Sequence, residues 1–202
     1  DNIEFWLTIL YIKEKKGTGW MKKVLLLGDS IRLSYQSRVK ELMEGKAEVF
    51  GPEENGRFAK YTLWNINLYL SLFGALDIVH WNNGIWDTYT ISEDIPIFTN
   101  LDEYLRDMRL ILNEIRKKCP VVIFANTTPV REGFLCNNND RIDKYNKAIE
   151  KLMREESVPI NDLNSLVKKN LDLYVGDDLL HLTQEGVEVC AKQVAHVISE
   201  YL

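Results

Sequence analysis

The sequence predicts an α/β fold, a parallel sheet of five strands sandwiched between helices. Two observations predict it. Short apolar, β-rich runs alternate along the chain with longer stretches whose apolar residues recur at helical spacing. The first run, residues 24–27, is wholly apolar and passes straight into Gly28-Asp29-Ser30, as a buried central strand does when it hands over to a helix. A chain of 202 residues fits one such domain with a sizeable core.

The elements follow in order. The second run is Ala47–Phe50, stopped by Gly51-Pro52. The third spans residues 76–81, the fourth Val121–Ala125, and a short fifth residues 158–160. After the first run, Ile31, Val39 and Leu42 suit an amphipathic helix; after the second, Tyr61, Leu63, Trp64, Ile66 and Leu68 suit another. The clearest helix carries Leu101, Tyr104, Leu105, Met108, Leu112 and Ile115 on one face and closes at Lys117, Lys118 and Pro120. Ile142, Tyr145, Ile149, Leu152 and Met153 repeat the period. The last helix starts at Thr183, a suitable N-cap, and turns Val187, Cys190, Ala191, Val194 and Ile198 inward.

Composition narrows the function classes. A net charge of -5 disfavours nucleic acid and anionic membrane surfaces as partners. Cys119, Cys136 and Cys190 are odd in number and far apart, which fits neither a disulfide framework nor a zinc site. Cys119 and Cys190 suit core positions and Cys136 a loop; a reducing compartment, the cytoplasm, fits. Residues 1–20 differ from the rest. Their apolar stretch, residues 5–12, is far shorter than the ~20 residues that span a bilayer, and it lacks a signal-peptide pattern. Met21-Lys22-Lys23 reads as a natural start, and the extension is expected to pack on the domain at 21–202 or on a second copy.

In parallel sheets ligands bind beyond the carboxyl ends of the strands, where strand order reverses. Strands one and three usually flank that point in a five-stranded sheet of this size, so the turns after them are the first places to look for chemistry. Ser30 stands at a helix N-terminus, where unpaired N–H groups favour a developing oxyanion; capping the helix is the plainer use of the same residue. The turn after the third strand, His80-Trp81-Asn82-Asn83-Gly84-Ile85-Trp86-Asp87, holds two amides beside two indoles. It serves either as a tight Asn-Asn-Gly turn or as an amide donor with aromatic walls for a sugar. Asn55-Gly56-Arg57 lies after the second strand, where a glycine lets the backbone approach a bound group.

Three histidines are candidate bases. His196 is expected to face solvent from the last helix, and His80 to lie in the core. His181 follows Asp178 by three residues in a loop before the last helix, so one turn brings the carboxylate to the ring Nδ1–H and leaves Nε2 for Ser30.

Gly28-Asp29-Ser30 together with Asp178-x-x-His181 resembles the SGNH (GDSL-type) hydrolase superfamily over residues 21–202. The resemblance implies a flavodoxin-like three-layer α/β/α sandwich with strand order 2-1-3-4-5. It implies Ser30 as nucleophile and oxyanion donor, Gly56 as a second backbone donor, and no metal or other cofactor. The family's third block, Gly-x-Asn-Asp, falls on Gly84-Ile85-Trp86-Asp87, which puts Trp86 where the donor Asn belongs. Asn83, or after it Asn82, is then expected to supply the amide. Asp29, Trp81, Trp86 and Tyr89 are expected around the substrate. With the polar loop at 137–139 they suggest a sugar-sized ester and hence an O-deacetylase. A lysophospholipase or thioesterase, or a non-catalytic binding module on the same scaffold, are the alternatives.

Overall fold

The computed structural model describes residues 21–92 and 94–202. Twelve elements follow in chain order: β1 (Lys22–Leu27), α1 (Ser30–Leu42), β2 (Ala47–Phe50), α2 (Ala59–Ser71), β3 (Ile78–Trp81), α3 (Leu101–Arg116), β4 (Val121–Ala125), α4 (Asn139–Glu155), β5 (Ile160–Asn161), α5 (Leu163–Lys168), α6 (Leu171–Tyr174) and α7 (Gln184–Ser199). The five strands form one parallel sheet in the order β2-β1-β3-β4-β5. The expectation for residues 1–20 lies outside the described residues.

Alternation along each strand splits the core in two. Leu25, Leu27, Val79, Trp81, Val122 and Phe124 point to the face covered by α2, α3 and α4. Val24, Leu26, Ile78, Ile123 and Ala125 point to the face covered by α1, α5 and α7. Both faces are buried, which is why the strands read as continuous apolar runs. The order reverses between β1 and β3, whose register pairs Leu27 with Trp81. Their carboxyl ends therefore open side by side.

The fifth strand differs from expectation. Pro159 has no N–H to donate, and only its carbonyl takes part, accepting from Phe124 N at 2.9 Å; laddering begins at Ile160. Two short helices, α5 and α6, follow β5; each is too short to leave a periodic signal in the sequence. Thr183 caps α7 as expected, its side chain accepting from Gly186 N.

Candidate active site

The turn after β1 is built for close approach. Gly28 has φ of 151°, and a Cβ there would lie 1.9 Å from Asn82 Oδ1. Asp29 caps α1, accepting from Ile31 N at 2.9 Å. Burial raises its pKa, against the lowering effect of the Ile31 N–H, the Asn82 amide and the Arg32 cation. Ser30 follows as the first helical residue, and its own N–H has no acceptor among the described residues. Two residues on, the buried Arg32 ties this turn to the loop after β2. Its guanidinium donates to Gly28 O at 3.1 Å, Gln36 Oε1 at 2.7 Å, Pro52 O at 2.5 Å and Glu54 O at 2.7 Å.

Asp178 and His181 sit on a small hairpin between α6 and α7. A bridge between Val175 and Leu182 and a bond from Gly176 N to His181 O (2.8 Å) close it. Leu179 takes φ of 67° at its tip, a left-handed conformation unusual for a branched side chain, and its carbonyl accepts from Arg131 N at 2.9 Å. Asp178 Oδ1 accepts from Leu180 N (3.1 Å) and His181 N (2.8 Å), and Oδ2 meets His181 Nδ1 at 2.6 Å. Desolvation alone would raise the Asp178 pKa, but these bonds outweigh it and hold the carboxyl below its ordinary value. The ionised carboxylate assigns the ring proton to Nδ1. Nε2, then an acceptor, lies 3.0 Å from Ser30 Oγ. The structure thus joins residues 151 positions apart in one hydrogen-bonded chain.

The expected oxyanion donors are placed differently. Gly56 lies against the nucleophile turn, where a Cβ would meet Gly28 O at 2.6 Å, but its N–H already donates to that carbonyl at 2.9 Å. Asn83 is fully buried; its Oδ1 accepts from Trp81 Nε1 (2.7 Å) and its Nδ2 donates to Arg57 O (2.9 Å). The Asn82 amide faces Asp29 and Gly28. Of the expected donors, the Ser30 N–H has no acceptor among the described residues, and the Asn83 Nδ2, which carries two N–H groups, spends only one of them on Arg57 O.

Two expected pocket residues are core instead. Trp81 is 0% exposed and packs edge-on against Phe124, because its position in β3 points under the sheet rather than beyond its end. Asp29 is spent on the helix cap. Trp86 and Tyr89 are half-buried in a T-shaped pair, with Phe134 against Tyr89. They cover a small apolar cluster that contains Leu180, the residue before His181.

Sequence reading missed three contributors. Phe134 comes from the β4–α4 loop with no local signal. Arg32 could have been noticed as a charge among the inward positions Ile31, Tyr35 and Val39. Asp87, buried at the N-terminus of α2, accepts from Ala59 N with both oxygens (3.2 and 3.0 Å) and so fixes the segment after Gly56. His80 is buried as expected, with Nε2 3.1 Å from Asn161 Nδ2, and His196 is exposed. Cys119 and Cys190 are buried and Cys136 exposed. Among the described residues no three His, Cys, Asp or Glu side chains gather in a way that could hold a metal ion, and no helix is long and apolar enough to cross a membrane.

No protein-family model matches the sequence, and no curated protein does. Solved structures do. A lipase/acylhydrolase from Enterococcus faecalis superposes with a TM-score of 0.77 at 20% identity, covering 89% of this chain and 96% of its own. An acetylxylan esterase from Geobacillus stearothermophilus gives 0.71 at 17%, covering 88% and 94%. A lipolytic G-D-S-L family member from Veillonella parvula gives 0.68 at 13%, covering 88% and 98%. The chain has the fold that these structures share.

Proposed function

We infer that the chain belongs to the SGNH (GDSL-type) hydrolase superfamily and is a serine esterase that works through an acyl-enzyme on Ser30. One observation carries this reading: the continuous link from Ser30 Oγ through His181 to Asp178, at 3.0 and 2.6 Å. His181 Nε2 takes the Ser30 proton as Oγ attacks the ester carbonyl. The same proton passes to the leaving alcohol, and water then releases the acid by the reverse sequence. Asp178 holds the ring in the required tautomer and stabilises its charged form.

The oxyanion forms beside the Ser30 N–H at the positive end of α1. Recruiting Gly56 means that the oxyanion competes with Gly28 O for its N–H, whereas Asn83 has a second amide N–H besides the one given to Arg57 O. Each donor left unrecruited costs about 3 kcal/mol of transition-state stabilisation.

For substrate we propose a small acyl ester on a polar, carbohydrate-like alcohol, an O-deacetylation. The half-buried Trp86 and Tyr89 rings, packed on the cluster that contains Leu180, suit stacking on a sugar, and the likeness to an acetylxylan esterase supports the choice. Three free cysteines suit a cytoplasmic setting. A lipolytic reading is the alternative, favoured by Phe134 and the exposed Leu135 next to those rings.

The test combines a fluorophosphonate probe with a panel of nitrophenyl esters and acetylated sugars. The expected result is labelling that disappears in Ser30→Ala, with turnover falling as the acyl chain lengthens. Equal labelling of wild type and variant would remove the esterase in favour of a binding module. Preference for long chains would replace deacetylation by lipolysis.

A further inference from the structure

The outward face of α2 is unlike that of any other long helix here. Trp64, Leu68 and Leu72, spaced by four, expose 87%, 54% and 53% of their surface. Asn67 and Ser71 lie exposed between them, and Lys60 is the sole charge on the helix, already engaged by Glu103. The other long helices present charge outward: Lys40 and Glu41 at the end of α1, Arg106 and Arg109 on α3, Lys144 and Lys147 on α4, Glu185 and Lys192 on α7. Three large apolar side chains in a row, on a helix whose inner face is already satisfied by the sheet, are not needed by the fold.

We propose that this stripe is the core of a symmetric dimer interface whose partner is a second copy of the same chain, packed α2 against α2. Three observations select that occupant. A twofold interface places each patch on itself, so a charged patch meets like charge; α2 is the long helix whose outward stripe can face its own copy without that penalty. Residues 64, 68 and 72 form one i±4 ridge, and two such ridges interdigitate when helices cross at about −50°. The stripe exposes roughly 400 Å² per copy, so pairing removes about 800 Å², half of a standard interface of ~1,600 Å², and leaves the remainder to a polar rim such as Asn67 and Ser71 supply. A lipid surface fits less well. Interfacial helices carry several Lys or Arg along the polar face, and here the one lysine is paired in a chain of net charge -5.

Ser30 lies beyond the carboxyl end of β1, and none of Trp64, Leu68 and Leu72 takes part in its hydrogen-bonded chain with His181 and Asp178. Trp64, large and fully presented, is the expected anchor.

Sedimentation velocity on the full chain, from about 1 to 200 μM, tests the proposal alongside Trp64→Glu and Leu68→Glu. Circular dichroism and thermal melting verify that both variants fold. The expected result is a concentration-dependent dimer, with each variant weakening self-association at least about 30-fold, the effect of losing a hot-spot residue. A wild type that stays monomeric over the range overturns the proposal. So does a dimer that survives both substitutions. Flotation with neutral and anionic vesicles covers the rival occupant: binding that depends on Trp64 in a monomeric protein also overturns it.

Discussion

Asp178 does two jobs within a single turn. One oxygen accepts the Leu180 and His181 N–H groups and so shapes the hairpin; the other faces the His181 ring. Replacing it by Asn keeps an acceptor for the backbone but offers the ring an amide whose N–H can hydrogen-bond only to a deprotonated Nδ1. The imidazole then favours the tautomer with its proton on Nε2, facing Ser30, where it cannot act as a base. Asp178→Asn is therefore expected to lower kcat by about 10³–10⁴-fold, with KM little changed and fluorophosphonate labelling slowed in parallel. A rise in KM without loss of kcat would mean that the carboxylate only shapes the loop. The sequence makes this part of the site legible because three residues of separation let a single turn bring the carboxylate to the imidazole, and because Gly28-Asp29-Ser30 supplies the matching nucleophile. The oxyanion side was not legible for the opposite reason. Whether the Gly56 N–H is free depends on Gly28 O, 28 positions away, and the Asn83 amide is oriented by Arg57 O, 26 positions away, which takes one of its two N–H groups. Residue type alone says that a donor exists, not what already occupies it.

At the scale of elements, the segments that follow the carboxyl ends of β1 and β2 are held together by one buried cation. Arg32, on the first turn of α1, reaches carbonyls on both the β1–α1 turn and the β2–α2 loop. These are segments that no strand ladder joins beyond Leu25–Phe50. Hydrogen bonds from a charged donor contribute roughly 1.5–3 kcal/mol each in the buried state, and their loss leaves carbonyls without partners. Arg32→Met is expected to destabilise by about 3 kcal/mol or more in urea unfolding. Arg32→Lys should recover only a minor share, since an ammonium cannot fork across two segments. The strand and helix pattern needed none of this to be read. Five apolar runs and strong helical periods in α3 and α4 made the parallel α/β class legible, because burial on both faces of a parallel sheet imprints itself on every strand residue, while the strand order followed from the resemblance. Short α5 and α6 left no such imprint, and Arg32 looks like a surface residue until its acceptors are in view.

Over the whole molecule, two buried ionisable groups outside the Ser–His–Asp chain tilt stability in opposite directions with pH. Asp87 has its carboxyl pushed up to about 7, chiefly by burial, against the pull of the Ala59 N–H and Thr99. Between an unfolded value near 3.8 and that native value, the folded state holds a proton that the unfolded chain has released. The stability it contributes is present at low pH and is lost as pH rises through about 7. His80 is the mirror case. Burial lowers its pKa from 6.5 to about 4, so it stays neutral in the fold while the unfolded chain takes up a proton. Its contribution is full above pH 6.5 and is lost as pH falls toward 4. Each group alone can supply a slope of up to about 1.4 kcal/mol per pH unit within its window, and over the shared range from about 4 to 6.5 the two slopes oppose. Urea unfolding from pH 4 to 8 separates them through the difference between each variant and wild type. Asp87→Asn should be most damaging at low pH and relatively better as pH rises to 7. His80→Gln, which can still accept from Asn161 through its side-chain oxygen, should be relatively better at low pH and lose that advantage by pH 6.5. Differences that stay flat with pH in both variants would mean that neither group changes its proton count on folding, and that their burial is compensated elsewhere in the core.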